Sequence, residues 1–135
     1  MCYNSDCRIE IKSCIDSSES SITAKGKVKK TPNGLQFDYF LDGDACTLTV
    51  NDDRIVQSRR GEQNIELTFR KGEQTECFLE NGGFSGTFYV FTHDLQCTMC
   101  DINGKFGANH GFLLLIVYTI GEQKIELNVS AEYKI

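Results

Sequence analysis

Apolar and polar side chains alternate along nearly the whole chain, and this period of two constrains the fold more than any other feature. Ile9 and Ile11 alternate with charged residues, and the same pattern recurs at residues 22–28, 35–41 and 125–133. Successive side chains of a β-strand point to opposite faces, so this alternation is typical of half-buried strands. No stretch of useful length shows the helical period of about 3.6 residues. The sequence therefore predicts an all-β protein.

Turn residues interrupt the alternation about every ten residues. The pairs include Asn33-Gly34, Asp42-Gly43, Arg60-Gly61, Lys71-Gly72, Gly82-Gly83, Asn103-Gly104 and Gly121-Glu122. Turns at this spacing join consecutive antiparallel strands into hairpins, and a sheet of about ten strands tends to close on itself. We predict a single domain over residues 1–135, a closed up-and-down antiparallel β-barrel of about 8 to 10 strands.

The charge distribution argues against a nucleic-acid partner. The 135 residues carry 14 basic and 19 acidic side chains, a formal net charge of −5. The whole acidic excess lies in residues 72–135, because residues 1–71 are balanced. Affinity for a nucleic-acid backbone comes from Lys and Arg side chains that neutralise phosphates. We therefore expect no nucleic-acid partner.

Hydropathy and the start of the chain indicate a cytoplasmic protein. The longest unbroken apolar stretch is residues 112–118, far shorter than the roughly 20 residues of a membrane-spanning helix. The first six residues contain neither the basic nor the apolar region of a signal peptide. We accordingly expect no membrane partner and interpret the seven cysteines as reduced thiols.

Metal binding and catalysis have little support in the sequence. Cys97 and Cys100 have C-x-x-C spacing, with His93 and His110 on either side, but a structural zinc site needs a second pair of ligands. On a strand, two residues at this spacing also point to opposite faces. Neither histidine accompanies a recognisable nucleophile motif. We expect a protein that is not an enzyme and holds no metal or cofactor.

The barrel interior is the remaining candidate for a binding site. A barrel of about eight strands is either filled by its own side chains or holds one small ligand. The candidate ligand-binding residues are five aromatics on strand faces and one cation: Phe37, Tyr39, Arg59, Phe69, Phe88 and Tyr118. We predict binding of a small apolar or amphipathic molecule. The alternative is a solid core with a structural or protein–protein interaction role.

The environment of Arg59 and the outer strand faces bear on both interpretations. A buried cation is costly unless paired, so an inward Arg59 requires a carboxylate from a ligand or from the protein. Otherwise Arg59 is solvated at the strand end beside Arg60.

Residues 88–91 and 113–118 are apolar on both faces, which favours cover by a partner subunit or a loop. A homodimer is therefore as well supported as a ligand.

The order of features from about residue 38 to the C-terminus resembles the YwiB-like family of bacterial domains. The resemblance rests on residues 55–61, which end in Arg-x-Gly, on the Leu-Thr-Phe-x-x-Gly pattern of residues 67–72, and on aromatics near Phe78 and Tyr118. The central turn departs from the family, since residues 81–84 replace Thr-Pro-Tyr-Gly with Asn-Gly-Gly-Phe. Members are calycin-like, or lipocalin-type, β-barrels of unknown function. The resemblance therefore implies a fold and no particular reaction.

Overall fold

A computed structural model describes residues 5–102 and 108–134, which form ten β-strands. In chain order these are β1 (Ser5–Ile15), β2 (Ser18–Thr31), β3 (Gly34–Leu41), β4 (Asp44–Asn51), β5 (Ile55–Arg60), β6 (Gln63–Phe69), β7 (Gln74–Asn81), β8 (Phe84–Asp101), β9 (His110–Ile120) and β10 (Gln123–Tyr133). No helix in the described part of the chain is long and apolar enough to cross a membrane. The predicted turn at Asn103-Gly104 lies outside the described residues.

Each strand pairs antiparallel with the next, and the last strand returns to the first. β10 pairs with β1 over the register from Cys7–Tyr133 to Ile15–Ile125, which closes the sheet into a barrel. Tight turns at the predicted positions make this possible. Gly43, between β3 and β4, has a φ of 83°, a conformation that favours glycine. The predicted all-β class and the closed ten-stranded up-and-down barrel are both confirmed.

The alternating apolar residues of all ten strands meet in one hydrophobic core inside the barrel. Phe37, Phe69 and Phe112 are the largest side chains that are fully buried. Burial of apolar surface stabilises the fold by about 25 cal/mol per Å², so these large rings contribute most per residue. Thr92 is a buried polar residue among them.

β8 is the longest of the described strands and contains an irregularity. It is one strand of 18 residues with a bulge between Thr92 and Asp94. Thr92 lies opposite Tyr118, and Leu95 lies opposite Ile116, so the additional residue allows both to face the core side. A bulge shifts the alternation by one residue. This shift explains why the sequence pattern breaks at His93.

Side chains complete the barrel wall where β6 and β7 diverge. Backbone pairing between these strands covers residues 63–66 of β6. Beyond it, the Thr68 N–H donates to Cys77 Sγ at 3.4 Å, and the Thr75 hydroxyl donates to the Thr68 carbonyl. Backbone polar groups away from water need partners. The two side chains supply those partners, so the wall remains continuous here.

Candidate functional site

All six predicted ligand-binding residues face the barrel interior. Residues directly opposite each other on paired strands share a face. Tyr39 lies opposite Cys46, which lies opposite Arg59 on its other side. Arg59 and Phe88 are half-buried. The four that are buried are Phe37, Tyr39, Phe69 and Tyr118.

The buried rings pack against other rings and do not surround a common space. The ring centroids of Phe69 and Tyr118 lie 4.8 Å apart. Phe37 contacts Phe112 at 5.2 Å and Tyr133 at 5.9 Å. These separations lie in the favourable range for aromatic pairs. The deep interior is therefore packed with the protein's own side chains at both clusters.

Burial decreases toward the end of the barrel where β5 ends and β6 begins. Ile55, Gln57 and Arg59 lie on the same face of β5. Ile55 is 1% exposed, whereas Arg59, four residues further along the strand, is half-buried. Arg59 lies opposite Ile65, and Ile65 lies opposite Leu79. We name this set of half-buried, inward-facing side chains the Arg59 mouth: Arg59, Ile65, Leu67, Leu79 and Phe88.

Asp44 is the partner of Arg59. Arg59 Nε donates to Asp44 Oδ2 at 2.7 Å, with 42% of the Arg59 side chain and 24% of the Asp44 side chain exposed. This hydrogen bond raises the pKa of the Arg59 guanidinium further above its usual value. Arg59 combines parts of both sequence interpretations. The protein supplies a carboxylate partner, while 42% of the Arg59 side chain remains exposed near the end of β5.

Gly61 makes room for this ion pair. A Cβ atom at position 61 would lie 1.8 Å from Asp44 Oδ1. The carboxylate can occupy this place only because residue 61 has no side chain. The Arg-x-Gly pattern that ends β5 therefore has a physical basis, since its Arg binds the carboxylate and its Gly accommodates it.

We expect Gly61→Ala to break the Arg59–Asp44 pair while leaving the barrel folded. The new methyl group displaces the carboxylate, and a half-exposed ion pair is worth about 1 kcal/mol or less. Urea unfolding should show a loss of that size. In an Asp44→Ala background the methyl group meets no carboxylate, so the same Gly61 substitution should then cost nothing measurable. Equal losses in both backgrounds would contradict the role assigned to Gly61.

Tyr39 and Cys46 lie beside the ion pair on its inner side. Burial raises the pKa of Tyr39 to about 12 and also raises the pKa of Cys46. Both groups are therefore neutral near pH 7, and a neutral thiol is a poor nucleophile. The arrangement can bind an anion at Arg59 and an apolar group at the mouth.

The Cys97 and Cys100 thiols are not placed for joint metal binding. Cys97 lies opposite Leu114 and Cys100 opposite Gly111, so the two residues occupy opposite faces of β8. Among residues 5–102 and 108–134, no cluster of three or more metal-ligating side chains occurs. His93 Nε2 lies 3.2 Å from the Thr119 hydroxyl, and the His110 ring stacks on Tyr133.

Of the predicted ligand-binding residues, Tyr39 is the one that lines either of two surface cavities. A cavity of about 690 Å³ is lined by Cys7, Gly26 and Tyr133 among others. A second, of about 420 Å³, runs over the outside of β2–β4 and includes Tyr39 and Phe40. The predicted residues Phe37, Phe69, Phe88 and Tyr118 line neither of them.

The sequence analysis missed Asp44 and the aliphatic residues of the mouth, which are Ile65, Leu67 and Leu79. Asp44 precedes Cys46, Leu48 and Val50 in the same alternation, and those three are buried. Alternate residues of a strand share a face, so this spacing already indicated that Asp44 faces inward. Ile65 and Leu79 likewise lie at inward positions of the alternation in their strands.

Comparisons with known proteins address the fold. No protein-family model matches the chain, and no curated protein matches it. The crystal structure of the ywiB protein from Bacillus subtilis superimposes with a TM-score of 0.77 and 14% sequence identity, over 98% of this chain and 94% of that chain. At this level of identity the likeness concerns the fold alone. The ten-stranded barrel is a YwiB-like fold, as the sequence resemblance implied.

Proposed function

We propose that this protein is a non-catalytic barrel that binds a small amphipathic molecule at the Arg59 mouth. The apolar part of the ligand packs against Ile65, Leu79 and Phe88, and its anionic group binds the Arg59 guanidinium. One observation carries the proposal: apolar side chains that face inward remain half-buried beside a partly exposed cation. Recesses that combine apolar walls with a few polar groups are typical of small-molecule sites.

The ion pair with Asp44 leaves donor capacity on Arg59. A guanidinium carries five N–H donors, and within the described residues the Asp44 carboxylate accepts from Nε. Carboxylate and sulfonate groups accept hydrogen bonds from the remaining N–H groups with favourable geometry. This favours a ligand with an anionic head.

The packed aromatic clusters limit the size of the ligand. Phe37, Phe69 and Tyr118 pack against other rings in the core and do not move aside for a ligand in this proposal. Of the predicted set, the ligand therefore contacts Phe88 and Arg59, and the other four residues belong to the core. A short amphipathic molecule fits this arrangement better than a long acyl chain.

A dye titration tests the proposal directly. Anilinonaphthalene sulfonate has an aromatic body and an anionic group, and its fluorescence rises in an apolar site. We expect saturable binding, and we expect Arg59→Gln combined with Asp44→Asn to weaken it about tenfold or more, because a hydrogen bond to a charged group is worth about 1.5–3 kcal/mol. The double substitution removes both charges, so no buried carboxylate is left unpaired.

Arg60→Gln is the matched control. Arg60 is the next residue on β5 and is exposed on the opposite face, so its loss should leave the dissociation constant unchanged. Equal weakening by both changes would show that binding of the dye does not depend specifically on Arg59. Native mass spectrometry of the purified protein should reveal a co-purified small molecule, and its absence together with absent dye binding would end the proposal.

The second candidate function is a protein–protein interaction module with a solid core. Exposed aromatics on the outer face of β7 and β8 favour it: Phe78 is 40%, Tyr89 55% and Phe91 37% exposed. Phe78 and Tyr89 lie diagonally across the strand pair. Alanine substitution at Tyr89 that removes a co-purifying protein, with dye binding absent, would favour this function over ligand binding.

The cytoplasm is the compartment we propose for either function. The described cysteines are all free, including the buried Cys7, Cys46 and Cys77. Free thiols persist in a reducing compartment, whereas disulfides are common in secreted proteins. Fractionation of the native cells should recover the protein with the cytoplasmic enzymes.

A further inference from the structure

The β1–β2 hairpin extends beyond the strand that follows it. β2 pairs with β1 over residues 18–28, but β3 pairs with β2 only from Gly26 to Thr31. Residues 18–25 of β2 therefore have a paired strand on one side only. The closed barrel thus retains a free strand edge along this segment.

The turn geometry determines which backbone groups point to this edge. Asp16 and Ser17 have φ values of 49° and 68°, as expected for the two-residue turn of a tight hairpin. Such a turn makes the flanking pair, Ile15 and Ser18, a hydrogen-bonded pair, and hydrogen-bonded pairs then alternate along the ladder. The even-numbered residues of β2 bond to β1. The N–H and C=O groups of residues 19, 21 and 23 point to the free edge.

The β2–β3 turn gives the same assignment independently. Thr31 and Gly34 flank that two-residue turn and are directly paired. Hydrogen-bonded pairs alternate along the ladder from Thr31, so the odd-numbered residues of β2 are the ones that bond to β3. The pairing with β3 stops at Gly26, and the odd-numbered groups of the preceding residues of β2 have no partner among the described strands on that side. Within the described chain, no backbone hydrogen bond outside the ladders involves residues 18–25.

The side chains along the edge are exposed. Residues 18–23 are all exposed, and the large apolar side chain of Ile22 is 43% exposed. Glu19 and Lys25 lie at the two ends of this segment, on one face, and neither has an ion-pair partner among the described residues. An exposed edge with unpaired N–H and C=O groups is a template for another strand.

We propose that this edge pairs with the same edge of a second copy of the chain, as an antiparallel two-fold dimer with Ile22 opposite Ile22. In that register Ser21 lies opposite Thr23, so the odd-numbered N–H and C=O groups of the two chains face one another. Glu19 of each copy lies opposite Lys25 of the other. Both contacts occur twice because a two-fold interface is self-complementary.

Charge complementarity selects this register and this occupant. A register with Ser21 on the axis also aligns the odd-numbered groups, but it places Glu19 opposite Thr23 and leaves Lys25 without a partner. Oppositely charged residues directly across a strand pair are stabilising, and like charges are destabilising. Each copy therefore supplies both the negative and the positive charge that the opposite copy needs in this dimer. This interface is distinct from the outer strand faces on which the sequence suggested a homodimer.

Sedimentation velocity from low to several hundred micromolar protein tests the dimer. We expect the mass to double over this range. Glu19→Lys should weaken association about tenfold, since two symmetry-related attractions become repulsions, and Lys25→Glu should do the same. The double variant Glu19→Lys, Lys25→Glu exchanges the charges and should restore the original affinity. Lys29→Glu makes the same change in charge on the part of β2 that β3 covers, and should have no effect.

Ser21→Pro provides a test of the backbone pairing. Its missing N–H points to the free edge, so the β1 ladder remains intact, and circular dichroism should show an unchanged fold. We expect this variant to be a monomer. A monomeric parent protein at the highest concentration, a dimeric folded Ser21→Pro variant, or a double charge exchange that does not restore association would each overturn the proposal.

Discussion

Replacement of Phe37 by alanine should lower the free energy of unfolding by about 3–5 kcal/mol. Phe37 is 0% exposed, and its ring contacts Phe112 and Tyr133. These partners belong to β9 and β10, whereas Phe37 belongs to β3, so the contact joins opposite parts of the barrel wall. A cavity here cannot be filled by small movements of one hairpin. The expected loss is a large part of the about 5–15 kcal/mol that stabilises a typical domain.

Phe40→Ala is the matched control for this substitution. Phe40 lies on the same strand but is 70% exposed, and surface substitutions usually change stability by no more than about 0.5 kcal/mol. Urea unfolding of the two variants at the same pH should therefore separate them clearly. Similar losses in both would show that the Phe37 cluster is not a main support of the barrel.

The strand pattern was predictable because burial acts on alternate residues. The inward positions of β3 and β4, such as Phe37 and Leu48, follow directly from an alternation that is visible in the sequence. The depth of each inward residue was not predictable in this way. Arg59 and Phe88 face inward as expected, but both are half-buried, because depth depends on how the strands are staggered around the closed barrel.

Two other features depended on contacts that the sequence does not display. Asp44 and Gly61 are far apart in the chain, and only strand pairing brings the carboxylate to the place left open by the glycine. The free edge of β2 depends on the Asp16–Ser17 turn, which contains neither glycine nor proline. Both of its residues have positive φ values, a conformation that favours glycine, although neither is glycine. Turn signals based on glycine therefore missed it.

The stability of the protein should fall steeply between about pH 9 and pH 12. Burial raises the pKa of Tyr39 to about 12, that of Tyr118 to about 12 and that of Cys7 to about 11. The unfolded chain ionises these groups near their ordinary values of about 10 for Tyr and about 8.5–9 for Cys. Above those values the unfolded state binds fewer protons than the folded state, so unfolding becomes more favourable as the pH rises.

The size of this effect follows from the two tyrosines. One pKa unit corresponds to about 1.4 kcal/mol, so each tyrosine contributes roughly 3 kcal/mol that is fully present below pH 10 and lost above pH 12. The double variant Tyr39→Phe, Tyr118→Phe has no phenol to ionise at either site. Its unfolding free energy, measured by urea titration, should therefore change much less between pH 9 and pH 12. Tyr89→Phe, at a position that is 55% exposed on the outer face, should retain the steep decline of the parent protein. A decline of equal steepness in the double variant would show that these two buried phenols do not control alkaline stability.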